Sequence, residues 1–167
     1  PTPPTPSHPA IPKVRYDLTI DSTQIIVSGN ATVYVAQYEG NPGGALSGFS
    51  ALGKYIDVYV PITDEVTEIE IRLFYTDAEV AAAGLSEISL QLFSWNGTAW
   101  VQCSDSGVNT TNINGYSGYM WAKIRTDTTP SLADLQGTPF GGYGTSAPSP
   151  TPPTPSHPAI PKVRYDL

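Results

Sequence analysis

The sequence predicts an all-β domain: an antiparallel β-sandwich or β-barrel of about seven or eight strands with one short helix, flanked by Pro/Thr-rich extended linkers. Three observations predict it. Apolar and polar residues alternate in several short runs, which is the period of a half-buried strand. Turn pairs such as Gly29-Asn30 and Asn96-Gly97 separate those runs. A helical pattern is confined to residues 77–84.

The elements follow in order. Residues 1–12 hold six prolines, and each fixes φ and removes a backbone donor. This stretch predicts a polyproline II linker of roughly 37 Å at about 3.1 Å per residue. Residues 13–20 set Val14, Tyr16, Leu18 and Ile20 against Lys13, Arg15, Asp17 and Thr19. Residues 24–27 and 32–38 predict strands on either side of Gly29-Asn30, and residues 41–53 predict a Gly/Ser loop. Residues 55–60 group Ile56, Val58 and Val60. In residues 67–75, Ile69, Ile71 and Leu73 face one way and Glu68, Glu70 and Arg72 the other.

Asp77 is the expected cap of the helix and Gly84 its stop. Strands over 88–95 and 98–102 flank Asn96-Gly97, a strong hairpin signal because both residues tolerate positive φ. A polar loop over 107–118, a strand over 119–126 and a turn with an edge strand over 131–140 complete the domain. The folded unit is therefore expected over 13–140. A Gly/Ser/Pro/Thr linker follows over 141–161, with 141–149 as its flexible lead-in.

Residues 1–18 and 150–167 are the same string, PTPPTPSHPAIPKVRYDL, at an offset of 149. The chain is thus expected to hold one unit of a tandem array and the start of the next, with 162–167 opening the next first strand. Near-identical modules on Pro/Thr linkers suit a fibre, stalk or adhesin. The segment 158–167 passes from polyproline into an amphipathic strand. Ile160, Val163 and Tyr165 are candidates for docking on a neighbouring domain, because a sheet edge accepts an added strand.

Residues 74–103 and 118–124, FYTDAEVAAAGLSEISLQLFSWNGTAWVQC and GYMWAKI, resemble a β-rich module of archaeal and bacterial surface proteins. That group includes the PGF-pre-PGF domain. Its modules share a strand, a short Tyr-x-Asp-x-Glu helix, a strand like SLxLxxWNGxxW and a closing strand. Residues 30–73 fit more loosely. Such modules usually end in a Phe-Ser-x-Phe/Tyr-Ala-like strand, where this chain reads SLADLQGTPFGG. The resemblance implies an extracellular structural or display role and implies no catalysis.

Composition narrows the function classes. Without the repeated Lys162, Arg164 and Asp166, the unit has 6 basic and 14 acidic residues. That balance disfavours nucleic acid and anionic lipid as partners. No apolar run approaches the roughly 20 residues that cross a bilayer. The sequons at Asn30, Asn96 and Asn109 are N-glycosylation candidates, and Thr2, Thr5, Ser7, Thr151, Thr154 and Ser156 are O-glycosylation candidates. Together with few lysines they predict an extracellular, cell-surface glycoprotein.

Catalytic chemistry has little to draw on. His8 and His157 are one linker position seen twice, so neither a zinc site nor a Ser-His-Asp set is expected. No cofactor is expected, and the chain is read as a non-enzyme. Glu68 and Glu70 share a solvent face rather than forming an acid pair. A surface calcium ion would have to use Asp57, Asp64, Glu65 or loop carbonyls. The lone Cys103 reads as a small buried hydrophobe, with an inter-unit disulfide as the sharper alternative. Trp95, Trp100 and Trp121 read as core packing, and as a sugar-stacking platform in the alternative of a carbohydrate-binding or adhesin module. The expected partners are neighbouring repeats, with glycans or extracellular matrix as further possibilities.

Overall fold

The computed structural model describes residues 22–148 and the backbone of Ile11–Ile20. Among the described residues there are nine strands: β1 (Ile11–Ile20), β2 (Thr23–Tyr38), β3 (Ser50–Tyr59), β4 (Val66–Tyr75), β5 (Gln91–Trp95), β6 (Trp100–Gln102), β7 (Ser106–Asn109), β8 (Gly118–Ile124) and β9 (Gln136–Gly144). One helix, α1 (Asp77–Ala83), follows β4. Every pairing is antiparallel, in the lateral order β6-β5-β9-β3-β2-β4-β8-β7, with β1 added on β2. The two ends of that path meet: Ser106 Oγ on β7 donates to Gln91 Oε1 on β5 at 3.3 Å, and Gln102 of β6 bonds the same amide. The sheet is a nearly closed all-β barrel with a single short helix.

β2 joins the two halves. Its first part, from Thr23 to Gly29, pairs with β4, and its last part, from Tyr34 to Tyr38, pairs with β3. The change of partner falls at a bulge after Ser28. Gly29 sits there at φ +119°, and a Cβ on it would lie 2.0 Å from the Glu65 carbonyl oxygen. Only glycine fits that backbone at that distance. Asn30 N then donates to the same Glu65 oxygen at 3.0 Å, so the bulge is tied to the β3–β4 connection. The sequence predicted a turn at Gly29-Asn30; one bent strand runs through it instead, because a Gly-led bulge and a turn share the same local chemistry.

The strand faces follow the expected alternation. Ile69, Ile71 and Leu73 of β4 and Met120, Ala122 and Ile124 of β8 are almost fully buried, as are Ile56 and Val58 of β3. Each such side chain contributes roughly 1.5–3 kcal/mol on leaving water. The outer face of β4 carries Glu70 against Arg72 at 2.7 Å and Glu68 against Arg125 at 3.1 Å. The cap of α1 is Thr76 rather than Asp77. Its hydroxyl accepts from Glu79 N at 3.2 Å while Glu79 Oε1 accepts from Thr76 N at 2.9 Å. Gly84 ends the helix in the left-handed region at φ +69°, as the sequence predicted.

Several boundaries differ from expectation. β1 begins at Ile11, so Pro12 lies in a strand rather than in the linker. β9 continues to Gly144, so 141–144 are strand and not a lead-in, and residues 84 and 85 hold 146 and 147 against the domain. β9 is not an edge: it lies between β3 and β5. Its glycines make that position possible, because a Cβ on Gly141 would lie 2.7 Å from the Tyr55 ring and one on Gly142 would lie 2.6 Å from Met120. Residues 50–53 open β3, residues 87–89 form a 3-10 turn ahead of β5, and the expected 107–118 loop begins with β7.

The register also places the ends of the domain. Ile11 pairs with Val35, Val35 with Val58, and Val58 with Thr138. Ile11 is therefore level with Thr138, and β9 continues from there to Gly144 in the direction from which β1 enters. The chain enters and leaves the barrel through the same pole.

Two substitutions test this account by urea unfolding. Gly29→Ala should lower stability by about 1–3 kcal/mol through backbone strain. Phe140→Ala, at a fully buried position on β9, should cost about 3–5 kcal/mol. A wild-type midpoint for either variant contradicts the corresponding packing.

Candidate functional site

The surface feature that stands out is the β1–β2 edge. β1 pairs with β2 on both sides of the bulge, from Ile11↔Val35 to Val14↔Thr32 and from Tyr16↔Val27 to Ile20↔Thr23. It lies outside the main strand path and, among the described residues, pairs with β2 alone. The strand thus spans both halves of the barrel, with its other edge free of any described strand. Beside it, Thr32, Tyr34, Pro61 and Ile62 line a shallow depression of about 350 Å³ with Asn30 on its rim. Ile62 is 67% exposed and Tyr34 packs on Tyr59 at a ring separation of 5.6 Å. The sequence reading passed over this depression; the one local signal is an isoleucine set in the otherwise polar turn PITDE.

The docking candidates Ile160, Val163 and Tyr165 and the O-glycosylation candidates Thr2, Thr5, Ser7, Thr151, Thr154 and Ser156 lie outside the described residues, as do His8 and His157. The three sequons are within them and differ. Asn30 is exposed on β2 just past the bulge. Asn96 is exposed at the tip of the β5–β6 hairpin, but its Oδ1 accepts from Thr98 N and Ala99 N, both at 2.8 Å. That hairpin closes at Trp95↔Trp100 with four residues in its loop, so Asn96-Gly97 is not a two-residue turn. Asn109 is half-buried, donating to the Tyr119 hydroxyl at 3.2 Å and accepting from Thr111 N at 2.9 Å. Asn30 is the sequon whose amide the local turn engages least.

The tryptophans divide. Trp95 and Trp100 are 8% and 4% exposed, in an aromatic cluster with Tyr38, Tyr55, Phe93 and Tyr143. The loop after β2 folds over this cluster. Asn41 braces the loop by bonds with Gly43 and Gly44, and Trp100 Nε1 donates to the Gly44 carbonyl at 2.8 Å. Trp121 is half-buried on the outer face of β8, with the Lys123 ammonium 5.6 Å from its ring. The Trp95–Trp100 rings lie 5.5 Å apart and tilted by 59°, which is core packing rather than a coplanar sugar platform.

Acidic and sulfur groups are likewise dispersed. Asp57 lies in β3 opposite Pro139, whereas Asp64 and Glu65 are exposed on the β3–β4 connection. Among the described residues, no three His, Cys, Asp or Glu side chains gather as ion ligands. Burial raises the Asp57 carboxyl above its usual range, a bond from the Tyr38 hydroxyl partly offsets this, and its Oδ1 is buried without a partner. The same burial and the Asp57 charge push Tyr38 up to about 12. Cys103 is 1% exposed and its thiol is raised well above the ordinary value by burial. No helix of the described residues is long and apolar enough to cross a membrane. Comparisons with family models, curated proteins and solved structures found no match for this chain.

Two measurements follow from these environments. Cys103 should resist a thiol reagent at pH 8 in the native protein and react fully in denaturant; ready native labelling contradicts its burial. Tyr38 has a folded-state pKa raised above 10, so its contribution to stability is whole below pH 10 and is lost as pH rises through about 12. The difference between the ultraviolet titrations of the native protein and of Tyr38→Phe should accordingly place the Tyr38 ionisation near that pH, together with loss of fold in the native protein. A difference centred at 10 with the fold intact would place Tyr38 in water.

Proposed function

We propose that this chain is a structural repeat unit of an extracellular tandem-repeat fibre or cell-surface stalk, with β domains joined by polyproline-type linkers. The observation that carries this reading is the unaltered recurrence of 18 residues at an offset of 149. The first copy supplies the start of a domain whose nine strands, among the described residues, lie between Ile11 and Gly144, and the second copy follows it. The intervening Pro- and Thr-rich segment is suited to hold neighbouring domains apart.

Further features agree with it. The acidic surface favours solubility in a crowded array. Asn30 offers an exposed glycan acceptor, and the Thr and Ser of the linker offer others. The likeness of residues 74–124 to surface-protein modules points to the same setting. The partners are then the neighbouring repeats, with matrix or glycans as outer contacts. A carbohydrate-binding or adhesin module is the second reading, and burial of Trp95 and Trp100 removes its most evident stacking surface.

Electron cryo-microscopy of the native material tests the proposal. The expected result is a filament with one barrel per axial repeat. Isolated single domains with no filament and no higher-mass species would overturn it.

A further inference from the structure

The strand that closes the β2 edge is also the strand that the chain carries twice. Residues 11–18 recur without change as 160–167. Residues 11–18 supply most of β1 and pair with β2 from Val35 down to Ile25. The backbone slot that accepts the first copy therefore accepts the second with the same register. Among the described residues β1 pairs with β2 alone, so leaving its place breaks a single ladder.

The geometry brings the second copy to the slot. β1 enters through the pole at which β9 ends. From Gly144 to the entry point of β1 is about 20 Å along the strands and about 14 Å across three strand spacings, or about 25 Å direct. In polyproline II the twelve residues after 148 would span about 37 Å. The linker is thus long enough for the copy to reach the entry point of β1, once the chain has reversed on leaving β9, which runs antiparallel to β1.

We infer that the β2 edge is an exchangeable slot, and that the strand copy at residues 160–167 replaces β1 in it, joining successive repeats by strand exchange. The occupant is the first strand of the next repeat. Exchange of identical elements costs little in the end states, because the rungs from Ile11 to Leu18 are remade by the same residues. The proposal rests on the tandem-repeat reading and gives that array a specific joint: the turn between β1 and β2 opens, and the linker becomes a tie between two barrels.

Two experiments on the full 167-residue chain test it. In Thr32→Cys/Val163→Cys, position 163 is the copy of Val14, the partner of Thr32. Mild oxidation followed by peptide mapping should show a 32–163 disulfide, while Thr32→Cys/Ser156→Cys, whose second position lies ahead of the strand copy, should show none. Absence of the 32–163 bond, or equal bonding in both variants, overturns the exchange. In the second experiment, proline breaks one ladder or both. Tyr16→Pro alone should keep a cooperative thermal transition, because the copy takes the slot, and Tyr16→Pro/Tyr165→Pro should lose it. If Tyr16→Pro alone loses the transition as the double variant does, the copy does not serve. Failure of the exchange leaves the fibre reading to its axial repeat, which covalent linkers alone also produce.

Discussion

The barrel depends on one strand meeting the hydrogen-bonding needs of three others. β2 has sixteen residues, and β4, β3 and β1 all draw on it. A straight strand could not pass from one half of the barrel to the other. The bulge at Gly29 supplies the bend, and the Glu65 carbonyl closes over it at a distance that no Cβ would allow. From this bend follow the change of sheet partner, the inward aim of Ile25 and Val33 on either side, and the line along which β1 lies. Core packing then consolidates a path that the backbone has already set.

The aromatic cluster consolidates one end in a different way. Tyr38, Tyr55, Trp95, Trp100 and Tyr143 come from β2, β3, β5, β6 and β9. Their rings meet at tilted and edge-on angles, and the Asn41–Gly44 loop caps them through the Trp100 indole. This arrangement costs the protein an exposed stacking face and leaves it a rigid pole. The helix is a smaller brace: Lys54 of β3 reaches Glu79 at 3.0 Å and the Phe74 carbonyl at 2.8 Å.

What was legible in the sequence was local. The alternation through β4 needed only its own residues, and Ile69, Ile71 and Leu73 proved to be buried as their spacing implied. The helix was legible from Gly84, though the hydroxyl of Thr76 outcompetes Asp77 for the cap. β9 was misplaced because GTPFGGYG carries four glycines and a proline, the composition of a linker. Those glycines answer to Tyr55 and Met120, which are distant in sequence. The continuity of β2 was hidden for the same reason, since Glu65 gives Gly29 its meaning. Of the candidate site, the duplicated strand was legible as a string of letters. Its slot required the register.

The shared pole of entry and exit has a mechanical consequence. The two ends are offset by about 20 Å along the strands and about 14 Å across them, so tension applied through them loads the β1–β2 ladder partly in shear. The outermost rungs, at Ile11↔Val35, take the load first and open one at a time. In the proposed array, each barrel would give way at this ladder before its core, so the array would lengthen under a pull by releasing its first strands.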